Sequence, residues 1–519
     1  MALVNKIKNI KNDLINVLNY FPMSILYLFM MSIVLIVFIF SEKTNYNLIS
    51  ALGSGLLLSI ALELSFEYKL VEKKSNLLYL IPVIFSIICY SILAIFDNDY
   101  VMMAIGGGVN ISLLSLIMYV LYTGRENKLV FSHLVKSKFI TSLFADILIS
   151  GIITCILAFN FLIFKFDDVW KIIGLFSVII GFFGNYLLFL SYLPKSEEEL
   201  SVPKIYRNII HKALFYVYLL LIFILYLYIL KTIIIHKMPV GRFNWFGCFS
   251  LLFYVIFYLS VDETDGKVQE KFKKYGALIM IPIIIMQSIG LYIRISSYGL
   301  TMLRYMSIIC IIAAIIFMVT SLTKINIKKA FIGLIALSLL VTCTPLNVID
   351  VPNRNQECIL KNTLSEAGAY NNGKLDKNVK INKEYIPAIT SSYEYLRDSM
   401  GKKSKFFEEF QNSKIMDNID YDQYSIDNMR SYYYYADNLM DKEFDISGYN
   451  KVKKIEGESS KINKIDYTDF FLSLKEDDKK AVFYKTDDML ILFNDISYTF
   501  DEDSQTFDTI YWNAYLFEK

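Results

Sequence analysis

Apolar residues come in long runs over the first two-thirds of the chain, and polar residues gather in short breaks between them. A hydrocarbon core of about 30 Å needs about 20 helical residues to cross it. On that rule the runs predict spans near 23–40, 48–64, 77–96, 101–122, 140–164, 169–193, 211–235, 243–261, 277–293, 300–322 and 330–345. That is about eleven transmembrane helices, the last of them short. Ahead of them, Met1–Tyr20 carries Lys6, Lys8 and Lys11 among alternating apolar residues, the pattern of an amphipathic helix on the inner leaflet. No small-residue cleavage site follows 23–40, so this run reads as an anchor and not a removed signal peptide.

From Val351 the pattern changes to short periodic segments. Gln356–Ala367 predicts a helix stopped by Gly368, followed by a turn at Asn371-Asn372-Gly373. Pro387 suits a first helical position, and Ile389, Tyr393, Leu396 and Met400 then form an apolar face ended by Gly401. Tyr432–Tyr435 sit in a further amphipathic stretch. Ala481–Lys485 and Met489–Phe493 predict a β-hairpin, and Ile510–Phe517 a closing strand. The fold class expected is mainly α: a polytopic transmembrane helix bundle with a C-terminal extracytoplasmic α+β domain. Its parts are an interfacial N-terminus (1–22), the bundle (23–345) and the soluble domain (351–519).

Charge sharpens this division. The totals of 52 basic and 50 acidic residues nearly cancel. From Val351 onward, however, about 23 basic residues face about 31 acidic ones, so the membrane part is basic and the tail acidic. With the start taken as cytoplasmic, inner breaks hold about 21 basic residues against about seven in outer ones, the bias of a positive-inside topology. Eleven spans from an inside start put the tail outside the cytoplasm. A hydrophobic share of 55% is above that of soluble domains and agrees with the membrane class.

Candidate chemistry is sparse. Five of the six cysteines (Cys89, Cys155, Cys248, Cys310, Cys343) lie in apolar runs, which predicts buried thiols and no disulfide framework. His133, His211 and His236 fall near span ends, without the spacing of a zinc site. Asp501-Glu502-Asp503 resembles the opening of a calcium loop, but Thr506 stands where the glycine is required. No metal site and no cofactor are expected, and no nucleic-acid partner. Asp97, Asp99, Asp167 and Asp168 read as acidic flanks of outer breaks. Within the spans, Glu63, Asp146 and Asn110, with Asn185 and Gln287, are polar groups that are costly in lipid and candidates for function. The alternative for the two acids is that they reach the interface or pair with a loop lysine. Gly106-Gly107-Gly108 suits close helix packing.

One break stands apart. Ile293–Tyr305 holds Arg294, Ser296, Ser297, Tyr298, Gly299, Thr301, Arg304 and Tyr305 between two long apolar runs. Gly299 lets the chain turn, the two serines can satisfy freed backbone groups, and Thr301 can cap the next helix. Arg294 and Arg304 then serve either as anchors on lipid phosphates, with Tyr298 and Tyr305 in the aromatic belt, or as a bidentate clamp on an anionic headgroup or substrate.

Tyr298-Gly-Leu-Thr-x-x-Arg-Tyr305 resembles the signature of a bacterial family of multi-spanning membrane proteins of unknown function, DUF4153. Lys237-Met-Pro239-Val-Gly241, running into Trp245, is similar to that family's approach to its next span. Pro345–Val351 followed by Gln356 resembles its exit into the soluble part, and Ile446-Ser-Gly448-Tyr449 a motif of its tail. The chain departs from the pattern at Arg354-Asn355, where a serine is expected before Gln356. The resemblance implies a bacterial cytoplasmic membrane and carries no activity. The expectation is a non-enzymatic protein of envelope sensing, assembly or transport, with the bilayer, anionic headgroups and a membrane or envelope protein as candidate partners. One alternative is a transferase on a lipid-linked, polyprenyl-phosphate type substrate, although the first outer break offers only Glu42 as an acid. Another is a transporter coupled through Asp146 or Glu63, for which no inverted repeat is visible.

Overall fold

The computed structural model describes residues 17–41, 45–72, 75–95, 99–125, 129–163, 165–166, 168–196, 200, 202–235, 242–261, 265–371, 373–376, 379, 381–399, 404–413, 415–416, 429–435, 449, 451–457, 461–462, 465–466, 483–485, 489–501 and 506–518. The amphipathic stretch at 1–16, the segments 237–241 and 446–448, and Asp97, Asp167, His236, Met400, Gly401, Glu502 and Asp503 lie outside these. The chain forms two compact units, Met1–Cys358 with Tyr395–Lys403, and Ile359–Glu394 with Ser404–Lys519.

The first unit is a helix bundle. Its helices are α1 (Pro22–Ser41), α2 (Tyr46–Glu67), α3 (Leu80–Leu93), α4 (Asp99–Gly124), α5 (Val130–Leu162) and α6 (Val169–Ser191), followed by α7 (Arg207–Ile235), α8 (Arg242–Ser260), α9 (Lys267–Tyr298), α10 (Met302–Thr323) and α11 (Ile327–Cys343). Local chemistry sets several of their ends. Pro22 opens α1 at the position where a missing N–H costs nothing. Asn45 and Asn326 cap α2 and α11 through Leu48 N and Lys328 N, each at 3.0 Å. α6 and α7 contain π-helical turns, at Ser177–Gly184 and Arg207–Leu214.

Among the described residues, ten helices are long and apolar enough to cross a membrane, α3 with its 3-10 lead-in among them. α11, with 17 residues, is about 26 Å long. The bundle turns large apolar side chains outward: Leu162 is 82% exposed, Trp170 72% and Ile234 66%. A water-soluble surface does not carry apolar exposure on this scale, so these faces meet lipid and the chain is an integral membrane protein. Two boundaries differ from the hydropathy reading. α5 starts at Val130 and not near 140, and α9 runs 32 residues and not 17, because Ser132, His133 and Gln269 are buried by neighbouring helices despite their polarity.

Inside, an aromatic cluster joins α7, α8 and α9. Phe215 meets Phe257 and Phe272 edge-on at 5.5 and 5.1 Å, and Tyr218 stacks on Phe257 at 5.1 Å. α4 is wedged between α2 and α11 by its glycines. A methyl group on Gly106 would meet Ser50 Oγ, and one on Gly108 would meet Thr342 Oγ1, so both positions allow close approach. The expectation of buried thiols fails at Cys155 and Cys343, which lie on the lipid-facing surface, where a thiol costs no more than another apolar group.

In the second unit, α12 (Asp350–Glu366), which begins in the first unit, stops at Gly368 (φ +76°), with Ala369 N bonded to Leu364 O at 2.8 Å. A short hairpin, β1 (Tyr370–Asn371) and β2 (Lys374–Leu375), turns at Gly373. α13 (Ile386–Asp398), whose last turn from Tyr395 belongs to the first unit, and α14 (Lys405–Asn412) follow, Ser404 capping α14 through Phe407 N at 3.1 Å. The main sheet is antiparallel, in the order β3 (Met429–Tyr435), β8 (Met489–Asp501), β9 (Thr506–Glu518), β4 (Lys451–Gly457), and β7 (Phe483–Lys485) pairs with the start of β8. β5 (Lys461–Ile462) and β6 (Ile465–Asp466) form a separate ladder. Trp512, Ala514 and Leu516 of β9 are buried while Tyr511 and Tyr515 are exposed, the two-residue period of a one-sided sheet. Tyr432–Tyr435 therefore belong to a strand, and the hairpin near 481–493 forms as β7–β8.

Candidate functional site

α9 continues through Ser296 and Ser297 to Tyr298, so the turn read from the sequence shrinks to Gly299, Leu300 and Thr301. Ser297 Oγ bonds Ile293 O within its own helix and not the turn. Gly299 has φ +72° and ψ −178°, a region closed to side-chain-bearing residues, and its N–H closes α9 on Ile295 O at 2.8 Å. Thr301 occupies the capping position of α10, but its side chain makes no capping bond. The donor at Met302 N is met instead by the phenol of Tyr395, at 3.1 Å. Burial pushes the Tyr395 phenol above its ordinary value, while Met302 N–H and Arg304 pull it down.

Two neighbours on α12 hold the rest of the turn. Asn355 Oδ1 accepts from Leu300 N at 2.6 Å, and buried Gln356 donates to Tyr298 O at 3.0 Å and Leu300 O at 3.3 Å. Tyr305 Oη donates to Leu346 O at 2.7 Å, tying α10 to the segment after α11.

Arg304 is half-buried. One Nη donates to Gly299 O, and the guanidinium lies 5.7 Å over the Tyr298 ring. Arg294 sits one turn before the end of α9 with its Nε buried and without a hydrogen-bond partner. The two cations repel each other, and among the described residues no carboxylate pairs with either. Like charges brought together at partial burial are costly unless an anion joins them.

The other polar candidates have local partners. Glu63, 2% exposed, accepts Met23 N–H at 2.7 Å on Oε1 and Ser24 N–H at 3.4 Å on Oε2, with the Ser24 hydroxyl also on Oε2. It therefore caps the start of α1, where the helix dipole favours a negative charge. Asn110 Oδ1 accepts from Ser54 at 2.9 Å across α4 and α2. Asp146 is exposed on α5 among Phe144, Ile147 and Leu148, and it attracts Lys138 two turns back. Asn185 bonds Ser142 and Lys138, each at 3.4 Å. Gln287 donates to Asn244 and Cys248 at 3.0 Å, and Asn244 to Ser307 at 2.8 Å, which joins α8, α9 and α10. Asp168 caps α6 and pairs with Lys171.

A buried charge cluster escaped the sequence reading. His211 Nδ1 is 2.7 Å from Asp265, whose other oxygen is 3.2 Å from Arg207. His211 Nε2 is 3.4 Å from Ser132 Oγ, and that hydroxyl donates to Ser260 O at 2.6 Å. The serine proton is committed to that backbone carbonyl and not to the imidazole. The residue types are those of a hydrolase triad, but the Ser132 hydroxyl donates to a backbone carbonyl and not to the ring. No spacing in the sequence announces it, since the partners lie 54 to 128 residues apart.

Residues 23–358 match the domain of unknown function DUF4153. The chain belongs to this family. The DUF4153 region covers every helix of the bundle and ends inside α12, so it includes the arginine pair and both turn clamps, Asn355 and Gln356. No curated protein and no solved structure matched the chain. The family description carries no activity that could be transferred to these residues.

Proposed function

We propose that this protein is a non-enzymatic, eleven-span component of a bacterial cytoplasmic membrane. Its N-terminus lies inside, its C-terminal α+β domain lies outside, and it acts in envelope sensing, assembly or transport by holding an anionic headgroup at Arg294 and Arg304. The observation that carries this reading is the arginine pair: two partly buried guanidiniums that repel each other and have no carboxylate partner among the described residues. Arginine presents planar donors that match phosphate geometry, and a rigid turn keeps both side chains in place without further ordering. The bias of basic residues towards alternate breaks supports an outer-face position for the α9–α10 turn.

Native mass spectrometry of protein drawn from mixed vesicles into mild detergent tests it. We expect one retained anionic lipid in the wild type and its loss in both Arg294→Gln and Arg304→Gln. Equal retention in folded variants would refute the proposal. A polyprenyl phosphate in place of a diacyl lipid would favour the lipid-linked transferase, because the same pair suits its phosphate.

A further inference from the structure

The outer ends of α2, α3, α4 and α11 enclose a cavity of about 420 Å³. Ile92, Leu93, Ile105, Val109 and the Cα of Gly106 make its walls apolar. Its polar atoms are largely occupied already. Ser54 donates to Ser50 O and Asn110, Thr344 to Leu340 O, and Asn347 to Thr344 O and Asp350. An interior with few free polar groups suits hydrocarbon.

Two features say from where the hydrocarbon comes. Ile92 is 46% exposed, and Cys343 and Pro345, which also line the cavity, reach the surface. The cavity therefore opens sideways, beside the exposed Ile84, Ile88 and Ile95 of the α3 region, and a chain can enter from the bilayer without crossing water. At the rim, Asp350 and Arg354 form a loose pair at 3.9 Å with side chains 50% and 61% exposed, and Arg354 also donates to Pro345 O at 2.7 Å. One carboxylate and one guanidinium, both accessible, complement an ammonium and a phosphate on the same headgroup.

We infer that this cavity holds an acyl chain of a zwitterionic aminophospholipid whose headgroup lies across Asp350 and Arg354. The site shares no residue with the arginine pair at the α9–α10 turn and stands whether or not that pair binds an anion.

The test uses the full chain, exchanged in vesicles of equal phosphatidylethanolamine and phosphatidylglycerol, extracted gently and weighed with its bound lipids. The wild type is expected to retain one phosphatidylethanolamine. Val109→Trp fills the cavity and should abolish that retention while leaving any phosphatidylglycerol on the arginine pair. Asp350→Asn leaves the cavity open and removes only the ammonium partner. It should lower the preference for phosphatidylethanolamine about fivefold, the effect of one exposed ion pair. The inference is overturned if the wild type retains no phosphatidylethanolamine, if a folded Val109→Trp protein retains as much, or if Asp350→Asn leaves the preference unchanged. The last arm decides the matter should Val109→Trp fail to fold.

Discussion

A carboxylate within a membrane helix is costly unless its charge is met, and Glu63 meets its charge with backbone. The first turn of α1 leaves N–H groups that no helical carbonyl can accept, and Glu63 takes those of Met23 and Ser24. Its place within an apolar run made it a candidate for coupled transport, because its backbone partners lie 40 and 39 residues away in the sequence and leave no local signal. We expect Glu63→Ala to destabilise the protein by about 2 kcal/mol, because two donors and a hydroxyl lose a charged acceptor. Glu63→Gln, which keeps one oxygen, should cost less. Thermal unfolding in detergent orders the two variants, and an unchanged Tm for Glu63→Ala would contradict the capping role. Gly299 belongs to the same scale: its role in the turn was legible because a glycine in a polar break between two apolar runs is a strong turn signal, and its positive φ gives the physical reason.

At the scale of elements, hydropathy located the helices well, since each long apolar run needs its own helix in lipid. It misjudged ends wherever polar residues are buried by neighbours. The start of α5 carries Ser132, His133 and Ser137, all polar and all buried, and a hydropathy window reads such a segment as a loop. For the same reason the His211–Asp265–Arg207–Ser132 cluster stayed invisible, as its members come from the starts of α5 and α7 and from the segment ahead of α9. Half of the arginine turn was legible, namely the glycine and the two arginines. The clamps from Asn355, Gln356 and Tyr395 were not, because they come from distant helices. The cluster ties α5, α7, α8 and α9 together, so its members should act as a unit. Asp265 is buried, and removing its charge leaves the Arg207 guanidinium and the His211 ring without their carboxylate, so we expect Asp265→Asn to cost about 3 kcal/mol. His211→Gln removes one of the two partners of that carboxylate, so the double variant should be markedly less destabilised than the sum of the single ones. Additive losses in a double-mutant cycle on unfolding would mean that the charges do not interact.

For the whole molecule, the question is one of parity. Ten crossings would return the chain to the side on which it started, whereas eleven deliver α12 and the sheet unit to the other. The deciding helix is α11, with 17 residues. Its packing supports a crossing: Thr342 lies against Gly108, and Ser338 donates to Gly108 O, so α11 runs along α4 within the bundle. The acidic charge of the tail and the basic inner breaks agree with that direction. This parity sets the side on which the tail lies relative to the start. Cys358, exposed at the start of the tail, reports the side directly. Intact cells are treated with a membrane-impermeant maleimide and the Cys358 peptide is read by mass spectrometry. Eleven crossings from an inside start predict modification without lysis, and modification only after lysis would contradict the topology on which the functional proposal depends.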